Sequence, residues 1–160
     1  INVNPATLLK DDSFVQMVKE FMKVHTHSHT QTGLVLEITE STLGRYAIKL
    51  HSALEELREL GVKISIDDFG VGETNLAAMG ALACDFLKLD MSIIQQPDAT
   101  IRSGLIEIGV KIAKVFHAMV IVEGVETQEQ WDLAKSLGAD CSQGWFSGRP
   151  FFLEGPSDQV

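Results

Sequence analysis

The adjacent carboxylates Asp67 and Asp68 are the residues whose type and spacing point most directly to chemistry. They follow an apolar run at residues 62–66 and stand immediately before a loop that contains Gly70 and Gly72. A strand that ends in two acids and turns at once into such a loop can hold divalent cations, which prefer oxygen ligands. Taken alone, an Asp-Asp pair is more often a solvated turn. The prediction of a metal site therefore depends on whether other strands place polar groups beside this pair.

Polar groups recur at the ends of other apolar runs. Such runs end near Asn4, Glu37, Lys88, Glu123 and Gln143. These positions lie far apart along the chain, so they can serve one site only if the fold brings the ends of their strands together.

Five short apolar runs bounded by turn residues predict the buried strands that would carry these groups. They cover residues 34–38, 62–66, 86–89, 119–122 and 142–146. Between them, apolar residues recur at helical spacing and predict three amphipathic helices. The predicted faces are Leu50, Leu54, Leu57 and Leu60; Leu105, Ile108, Ile112 and Phe116; and Trp131, Ala134 and Leu137. Gly61 and Gly138 are expected to end the first and the third helix.

The alternation of strand and helix predicts an α/β fold built from parallel βα units. An open doubly wound sheet and a closed barrel both satisfy this pattern. In an open sheet, ligands gather at one switch point and few strand ends contribute. In a barrel, every strand ends at one common mouth. Because nearly every strand here carries a polar group at its end, we predict a TIM-like barrel.

Composition narrows the range of partners. The 160 residues carry a formal net charge of −9, which argues against binding to long nucleic acid. No apolar run reaches the roughly 18 residues that a membrane span needs, and no signal peptide is visible. Cys84 and Cys141 lack metal-ligand spacing and are expected to be reduced core residues. We therefore expect a cytoplasmic protein without membrane contact in this segment, although a longer parent chain could carry sensory or membrane domains.

Six ordered motifs, spread from near residue 2 to residue 150, resemble those of the EAL domain family. They are Val3-Asn4, Glu37-Ile38-Thr39-Glu40-Ser41, Asp67-Asp68-Phe69-Gly70-Val71-Gly72, Leu87-Lys88-Leu89-Asp90, Glu123-Gly124-Val125-Glu126-Thr127 and Gln143-Gly144-Trp145. The resemblance implies an EAL-type (β/α)8 barrel, truncated here to roughly its last six βα units. Residues 1–153 would form the C-terminal three-quarters of the domain, and residues 154–160 a tail. The Glu-Ala-Leu that names the family lies on an earlier strand, and its Glu is a metal ligand. We therefore expect this chain to be a fragment that begins after it, and the enzyme prediction holds provided that the parent chain retains that Glu.

The same resemblance implies a bacterial signalling enzyme. Such a phosphodiesterase hydrolyses cyclic di-GMP to linear pGpG, uses two Mg²⁺ or Mn²⁺ ions per site, is inhibited by Ca²⁺ and is expected to form a homodimer. Two divalent ions would also explain how an acidic protein binds a cyclic dinucleotide. The alternative is a catalytically weak or inactive EAL domain that acts as a receptor for cyclic di-GMP or as a protein-interaction module.

The resemblance also implies roles for individual residues. It assigns catalysis to Lys88, Glu123 and Asp67. Lys88 would orient the attacking water or stabilise phosphoryl charge, Glu123 would double as general base, and Asp67 would bridge the two ions. For Lys88, a simple ion pair with Asp67 or Asp90 is the alternative. The implied metal ligands are Asn4, Glu37, Asp67, Asp68 and Glu123.

Three polar residues are expected to support the site. Glu40 would steady the loop after Asp68, and Glu126 would be a second supporting acid, but a plain helix-cap or first-turn role is as plausible for both. Gln143 would bind a metal-bound water or only satisfy backbone groups. The implied loop and substrate residues are Phe69, Gly70 and Gly72.

The loop after Asp68 departs from the family pattern. Val71 stands where a Thr is usual, Glu73 replaces an aromatic or small residue, and Thr74-Asn75 replaces Ser-Ser. A lost hydroxyl and an added charge could weaken activity or its regulation. Separately, the alternating His25, His27 and His29 could bind zinc, but we favour a surface loop for this segment.

Overall fold

The computed structural model describes residues 1–10, 13–25, 33–72 and 76–148. Five strands form one sheet in chain order, and all neighbouring strands are parallel. The strands are β1 (Val35–Thr39), β2 (Lys63–Phe69), β3 (Phe86–Leu89), β4 (Met119–Glu123) and β5 (Cys141–Gln143). The helices are α1 (Pro5–Lys10), α2 (Ser13–His25), α3 (Glu40–Glu59), α4 (Leu76–Ala81), α5 (Met91–Ile94), α6 (Ala99–Val115) and α7 (Gln128–Ser136).

The order of the strands is that of a barrel wall, in which each βα unit lies beside its neighbour in sequence. Asn2 extends this wall by one position, because it forms a parallel bridge with Glu37 at the free side of β1. The five predicted strands are all present. β2 continues through both acids to Phe69, and β5 occupies residues 141–143 instead of 142–146.

Helix α3 packs on the sheet through the face that its sequence predicts. Leu50, Leu54 and Leu57 are almost completely buried. Gly61, with φ +86°, follows the helix, and Gly138, with φ +102°, follows α7. Both glycines therefore stand where the helix-ending pattern predicts them.

Helix α6 contradicts part of the predicted face, although Ile112 and Phe116 are partly buried against the core as expected. Its buried residues are Ile106, Gly109, Val110 and Ala113, whereas Leu105 and Ile108 are exposed. The helix is apolar on two sides, and Gly109 decides which side meets the sheet: a Cβ there would lie 2.6 Å from Cδ2 of Leu89. Because a residue without a side chain permits the closest approach, the helix lies on β3 through this glycine.

Within the described residues, none of the helices has the length and apolar character that a bilayer crossing requires. His27 and His29 of the predicted histidine row, Glu73-Thr74-Asn75 and the predicted tail lie outside the described residues.

Candidate metal and active site

Lys88 on β3 lies at the centre of the carboxyl ends of the strands. Its ammonium nitrogen is 2.8 Å from Oδ1 of Asp67, 2.8 Å from Oε1 of Glu123 and 3.5 Å from Oε2 of Glu37. The three acids come from β2, β4 and β1, so this lysine joins four strands. Its side chain is only 4% exposed. We call Lys88, Glu37, Asp67 and Glu123 the Lys88 cluster.

Burial and neighbouring charges shift the pKa values of Lys88, Glu123 and Asp68. Burial lowers the pKa of Lys88, but the hydrogen bonds and negative charges of Asp67 and Glu123 outweigh it, and the net shift is upward. Burial raises the pKa of Glu123, and Lys88 only partly opposes that effect. Burial, followed by repulsion from Asp67 and Asp90, raises the pKa of Asp68. The acids therefore crowd more negative charge into this region than one ammonium neutralises.

Asp67, Asp68 and Glu123 form a donor set that fits a divalent cation. One carboxylate oxygen from each lies within 4.8 Å of the other two. Hard cations such as Mg²⁺, Mn²⁺ and Ca²⁺ prefer oxygen ligands of this kind. A bound cation would also relieve the repulsion that raises the pKa of Asp68.

The remaining predicted ligands line the same region. Asn4, Glu37, Asp67 and Asp68 line a cavity of about 570 Å³. Glu123 is joined to this wall through its ion pair with Lys88. The structure thus brings all five residues together at one end of the sheet, while their individual roles as ligands stay predictions.

A break in the pairing of β2 explains how two adjacent acids reach one place. In a regular strand, neighbouring side chains point to opposite faces. Here the register with β3 shifts between Ile66 and Phe69, and Asp68 has φ +57°. Aspartate tolerates this left-handed conformation better than most residues. The local irregularity therefore allows oxygens of Asp67 and Asp68 to approach each other.

Glu40 lies in the first turn of α3 and contacts the loop after Asp68. It is the first residue of α3, and its Oε2 accepts a hydrogen bond of 3.0 Å from the backbone N–H of Gly70. The residue is buried, and its Oε1 has no hydrogen-bond partner within the described part of the chain. Glu40 thus connects the end of β1 to the loop after Asp68.

Glu126 and Gln143 have looser connections to the site. The backbone N–H of Glu126 donates to Oε1 of Gln130 at 2.7 Å, and the residue precedes Thr127, which caps α7 in a capping box. Gln143 is exposed at the end of β5, paired in register with Glu123, and its carbonyl accepts from Val125 N–H. Neither contact decides between a supporting and a structural role.

The predicted loop residues differ in burial. Phe69 is buried, whereas Gly70 and Gly72 are exposed, as is Val71 between them. Sequence reasoning did not identify Thr39, which lines the cavity beside Glu37. Thr39 stands two residues after Glu37 on one strand and so shares its face, which is the signal that could have identified it.

Lys88 and Asp90 contact different partners. Asp90, one of the two partners that the sequence offers Lys88, forms no ion pair with it, and its Oδ1 instead accepts from Ser92 N–H and caps α5. The ion pair of Lys88 with Asp67 is present.

Comparisons with known proteins agree with this geometry. The family model described as "EAL domain" matches residues 1–150. The bifunctional diguanylate cyclase/cyclic di-GMP phosphodiesterase MucR of Pseudomonas aeruginosa is 36% identical over 139 residues, which are 84% of this chain and 19% of MucR. The chain thus spans about a fifth of the length of that relative.

Solved structures show the same fold. A structure of the PaMucR phosphodiesterase in complex with c-di-GMP superposes with a TM-score of 0.81 at 31% identity, over 93% of this chain and 60% of that one. The manganese/cy-diGMP complex of Klebsiella pneumoniae BlrP1 gives a TM-score of 0.77 at 26% identity, over 91% of this chain and 37% of that one. The five parallel strands are therefore part of an EAL-type barrel, and this chain belongs to the EAL domain family.

Proposed function

We propose that this protein is a metal-dependent phosphodiesterase that hydrolyses cyclic di-GMP to linear pGpG. The observation that carries the proposal is the Lys88 cluster together with Asp68. In it, carboxylates from three different strands converge on the buried ammonium group of Lys88, and Asp68 adds a further carboxylate beside them. The identity of the substrate is supported by the relatives, which include a named cyclic di-GMP phosphodiesterase and a c-di-GMP complex.

The ligands divide into two groups around Asp67. In this proposal, Asn4, Glu37 and Asp67, completed by the Glu of the upstream Glu-Ala-Leu, would hold one Mg²⁺ or Mn²⁺ ion, and Asp67, Asp68 and Glu123 would hold the other. Paired divalent ions supply an activated water and neutralise charge on the phosphoryl oxygens. Ca²⁺ would compete for the same oxygens but inhibit, because it takes more ligands in looser geometry.

The chain's own residues have defined tasks in this reaction. Lys88 remains protonated at neutral pH, since its pKa is raised, and its ammonium stabilises negative charge on the phosphoryl group. Glu123, whose pKa is also raised, is suited to accept a proton from the attacking water. Glu40 holds the loop after Asp68 through Gly70, and Gln143 lies beside Glu123 in register.

Product analysis tests the proposal. The longest natural form that contains this chain is incubated with cyclic di-GMP and Mn²⁺, and the nucleotides are separated by chromatography. We expect pGpG to appear, and its formation to stop when Ca²⁺ replaces Mn²⁺. Binding of cyclic di-GMP without turnover would instead support the receptor function, and absence of both would contradict the substrate assignment.

The boundaries of the unit are part of the proposal. We place residues 1–153 in the C-terminal three-quarters of an EAL domain and residues 154–160 in a tail, supported by the match over residues 1–150 and by coverage of 60% of the PaMucR chain. Turnover of a cytoplasmic second messenger would place the domain in the cytoplasm. Activity is best measured in the longest natural form that contains this chain.

We also propose a homodimer. Leu76, Leu105 and Ile108 are exposed apolar residues that line a groove of about 520 Å³ together with Ile93 and Ile112. Contiguous apolar surface of this kind often marks an interface. Light scattering should give twice the mass of the chain, and Ile108→Asp should give the monomer.

A further inference from the structure

The short helix α5 lies against the loops that follow both acid-bearing strands. Gly70 comes two residues after Asp68, and Gly124 comes directly after Glu123. A Cβ built on Gly70 would lie 2.8 Å from Cδ1 of Ile93, and one built on Gly124 would lie 2.4 Å from Cβ of Met91. Both distances are shorter than carbon atoms tolerate, so the helix meets these loops only because they carry no side chain there.

Helix α5 is firmly held in this position. Ile93 is 5% exposed, and Ile94 is completely buried. At the start of the helix, Asp90 accepts from Ser92 N–H at 2.8 Å, and its own backbone N–H donates to the carbonyl of Phe69 at 3.2 Å. Movement of α5 away from either loop would therefore expose apolar surface or break these hydrogen bonds.

The contact with Gly124 is the more restrictive of the two. At Gly70, the nearest atom is the end of the flexible Ile93 side chain. At Gly124, the nearest atoms are Cβ of Met91 and, at 3.1 Å, its Cα, which belongs to the backbone of the helix. A rigid surface thus stands against the residue that follows Glu123.

We propose that α5 sets the separation of the strand ends and that Met91, through its contact with Gly124, is a positioning residue for Glu123. The carboxylate of Glu123 is kept within reach of Asp67 and Asp68 because Met91 limits where β4 can end. As far as metal binding is concerned, this inference rests on the proposed function.

Two matched pairs of variants separate this contact from general strain. Gly124→Ala adds a methyl group against Met91. Gly61→Ala also adds a methyl group at a left-handed glycine, with φ +86° against +67°, but its Cβ would meet only Cε of Met22 at 3.9 Å. Met91→Gly removes the contacting Cβ, whereas Met91→Ala retains it.

The first readout is the affinity for Mn²⁺, measured by calorimetry on each variant. We expect Gly124→Ala and Met91→Gly to lose about 10-fold or more, as changes to residues that support metal ligands commonly do. Gly61→Ala and Met91→Ala should stay within about 2-fold of wild type. Gly124→Ala combined with Met91→Gly should recover part of the loss. A merely structural role would lower the melting temperature of Gly124→Ala and Gly61→Ala alike and leave both affinities unchanged.

The second readout needs no metal. In a crystal structure of metal-free Gly124→Ala, the Glu123 carboxylate should have left its 2.8 Å contact with Lys88. If Gly124→Ala does not fold, the same distance in Met91→Gly and Met91→Ala decides the question. An unmoved Glu123 in the variants would overturn the positioning role. Failure of the wild-type protein to bind Mn²⁺ would instead overturn the proposed function, and the metal-free distance would still decide the role of Met91.

Discussion

Two lysine–aspartate pairs at opposite ends of the sheet have nearly the same length but different surroundings. At the carboxyl ends of the strands, Lys88 and Asp67 are 2.8 Å apart, and their side chains are 4% and 13% exposed. At the other end, Lys63 and Asp85 are 2.7 Å apart, but the Lys63 side chain is 55% exposed. The length of the ion pair therefore does not distinguish the two pairs, whereas the burial of the lysine does.

The partners of each aspartate also differ. Asp85 uses its second oxygen to accept from Ile64 N–H at 2.9 Å, so it joins β2 to the start of β3. Asp140 lies two βα units further along the chain and makes the same kind of bond, accepting from Val120 N–H at 2.7 Å. Asp67 instead shares Lys88 with two further acids. At the end that contains Asp85, aspartate holds the backbone of a neighbouring strand. The end that contains Asp67 instead concentrates negative charge that a ligand can use.

Replacing the aspartate of each pair should give the largest difference between the two ends of the sheet. Asp67→Asn removes a charged oxygen from both proposed ion sites, so we expect turnover of cyclic di-GMP to fall more than about 100-fold, beyond the usual effect of residues that only support ligands. Asp85→Asn should retain turnover. Chromatography of pGpG measures both, and near-normal rates for Asp67→Asn would contradict its bridging role.

Replacing the lysine at each end tests the effect of burial on stability. Lys88→Met leaves three acids without their cation, and we expect the free energy of unfolding in metal-free buffer to fall by about 3 kcal/mol. Lys63→Met should cost at most about 1 kcal/mol, because the Lys63 side chain is 55% exposed. Urea denaturation measures both values. Equal losses would show that burial does not separate the pairs, and added Mn²⁺ should restore stability to Lys88→Met alone.

Alkaline pH should act on the end opposite the Lys88 cluster. Burial is the main cause that raises the pKa of the Cys84 thiol from 9.0 to about 11. Its contribution is fully present below pH 9.0 and is lost as pH rises through about 11, because the unfolded chain releases the proton first. The free energy of unfolding should therefore fall in this window by at most about 1.4 kcal/mol per pH unit. Lys88, whose pKa is raised above 10.5, follows the same rule only from about pH 10.5 upward, so the loss between pH 9 and 10 comes from Cys84.

Urea titrations at pH 8, 9 and 10 measure this loss, and Cys84→Ala is the control in which it should disappear. Thiol labelling gives an independent check. The partly exposed Cys141 should react with a thiol reagent in the native protein, and Cys84 only after unfolding. Equal labelling rates would contradict the burial of Cys84.

The smallest expected effect concerns the helix that follows the Glu123 loop. Thr127 caps α7 by accepting from Gln130 N–H, so Thr127→Ala should cost about 1 kcal/mol of stability. Turnover should remain unchanged, because the cap does not contact the Lys88 cluster. Thermal unfolding and a rate measurement test this together. A large loss of activity would mean that the start of α7, including Glu126, supports the site more directly than its contacts indicate.

Periodicity predicted α3 well and α6 badly, for a reason visible in their residues. The face of α3 that carries Leu50, Leu54 and Leu57 is the one that is buried. In α6, the face with Leu105 and Ile108 competes with that of Ile106 and Val110. The face with Ile106 and Val110 is the buried one because Gly109 allows α6 to approach Leu89 closely. The spacing of apolar residues within a helix contains no information about such a contact with a distant strand.

The amino-acid sequence by itself determined the parallel βα architecture, the family and the set of residues at the strand ends, because periodicity and motif order are properties of the chain alone. Only the tertiary structure decided that Lys88 pairs with three acids at once, that a break in β2 brings Asp67 and Asp68 together, and that Met91 lies against Gly124. These relations join residues 20 or more positions apart or depend on local backbone geometry. They follow from how the strands and helices pack, which no single segment of the chain specifies.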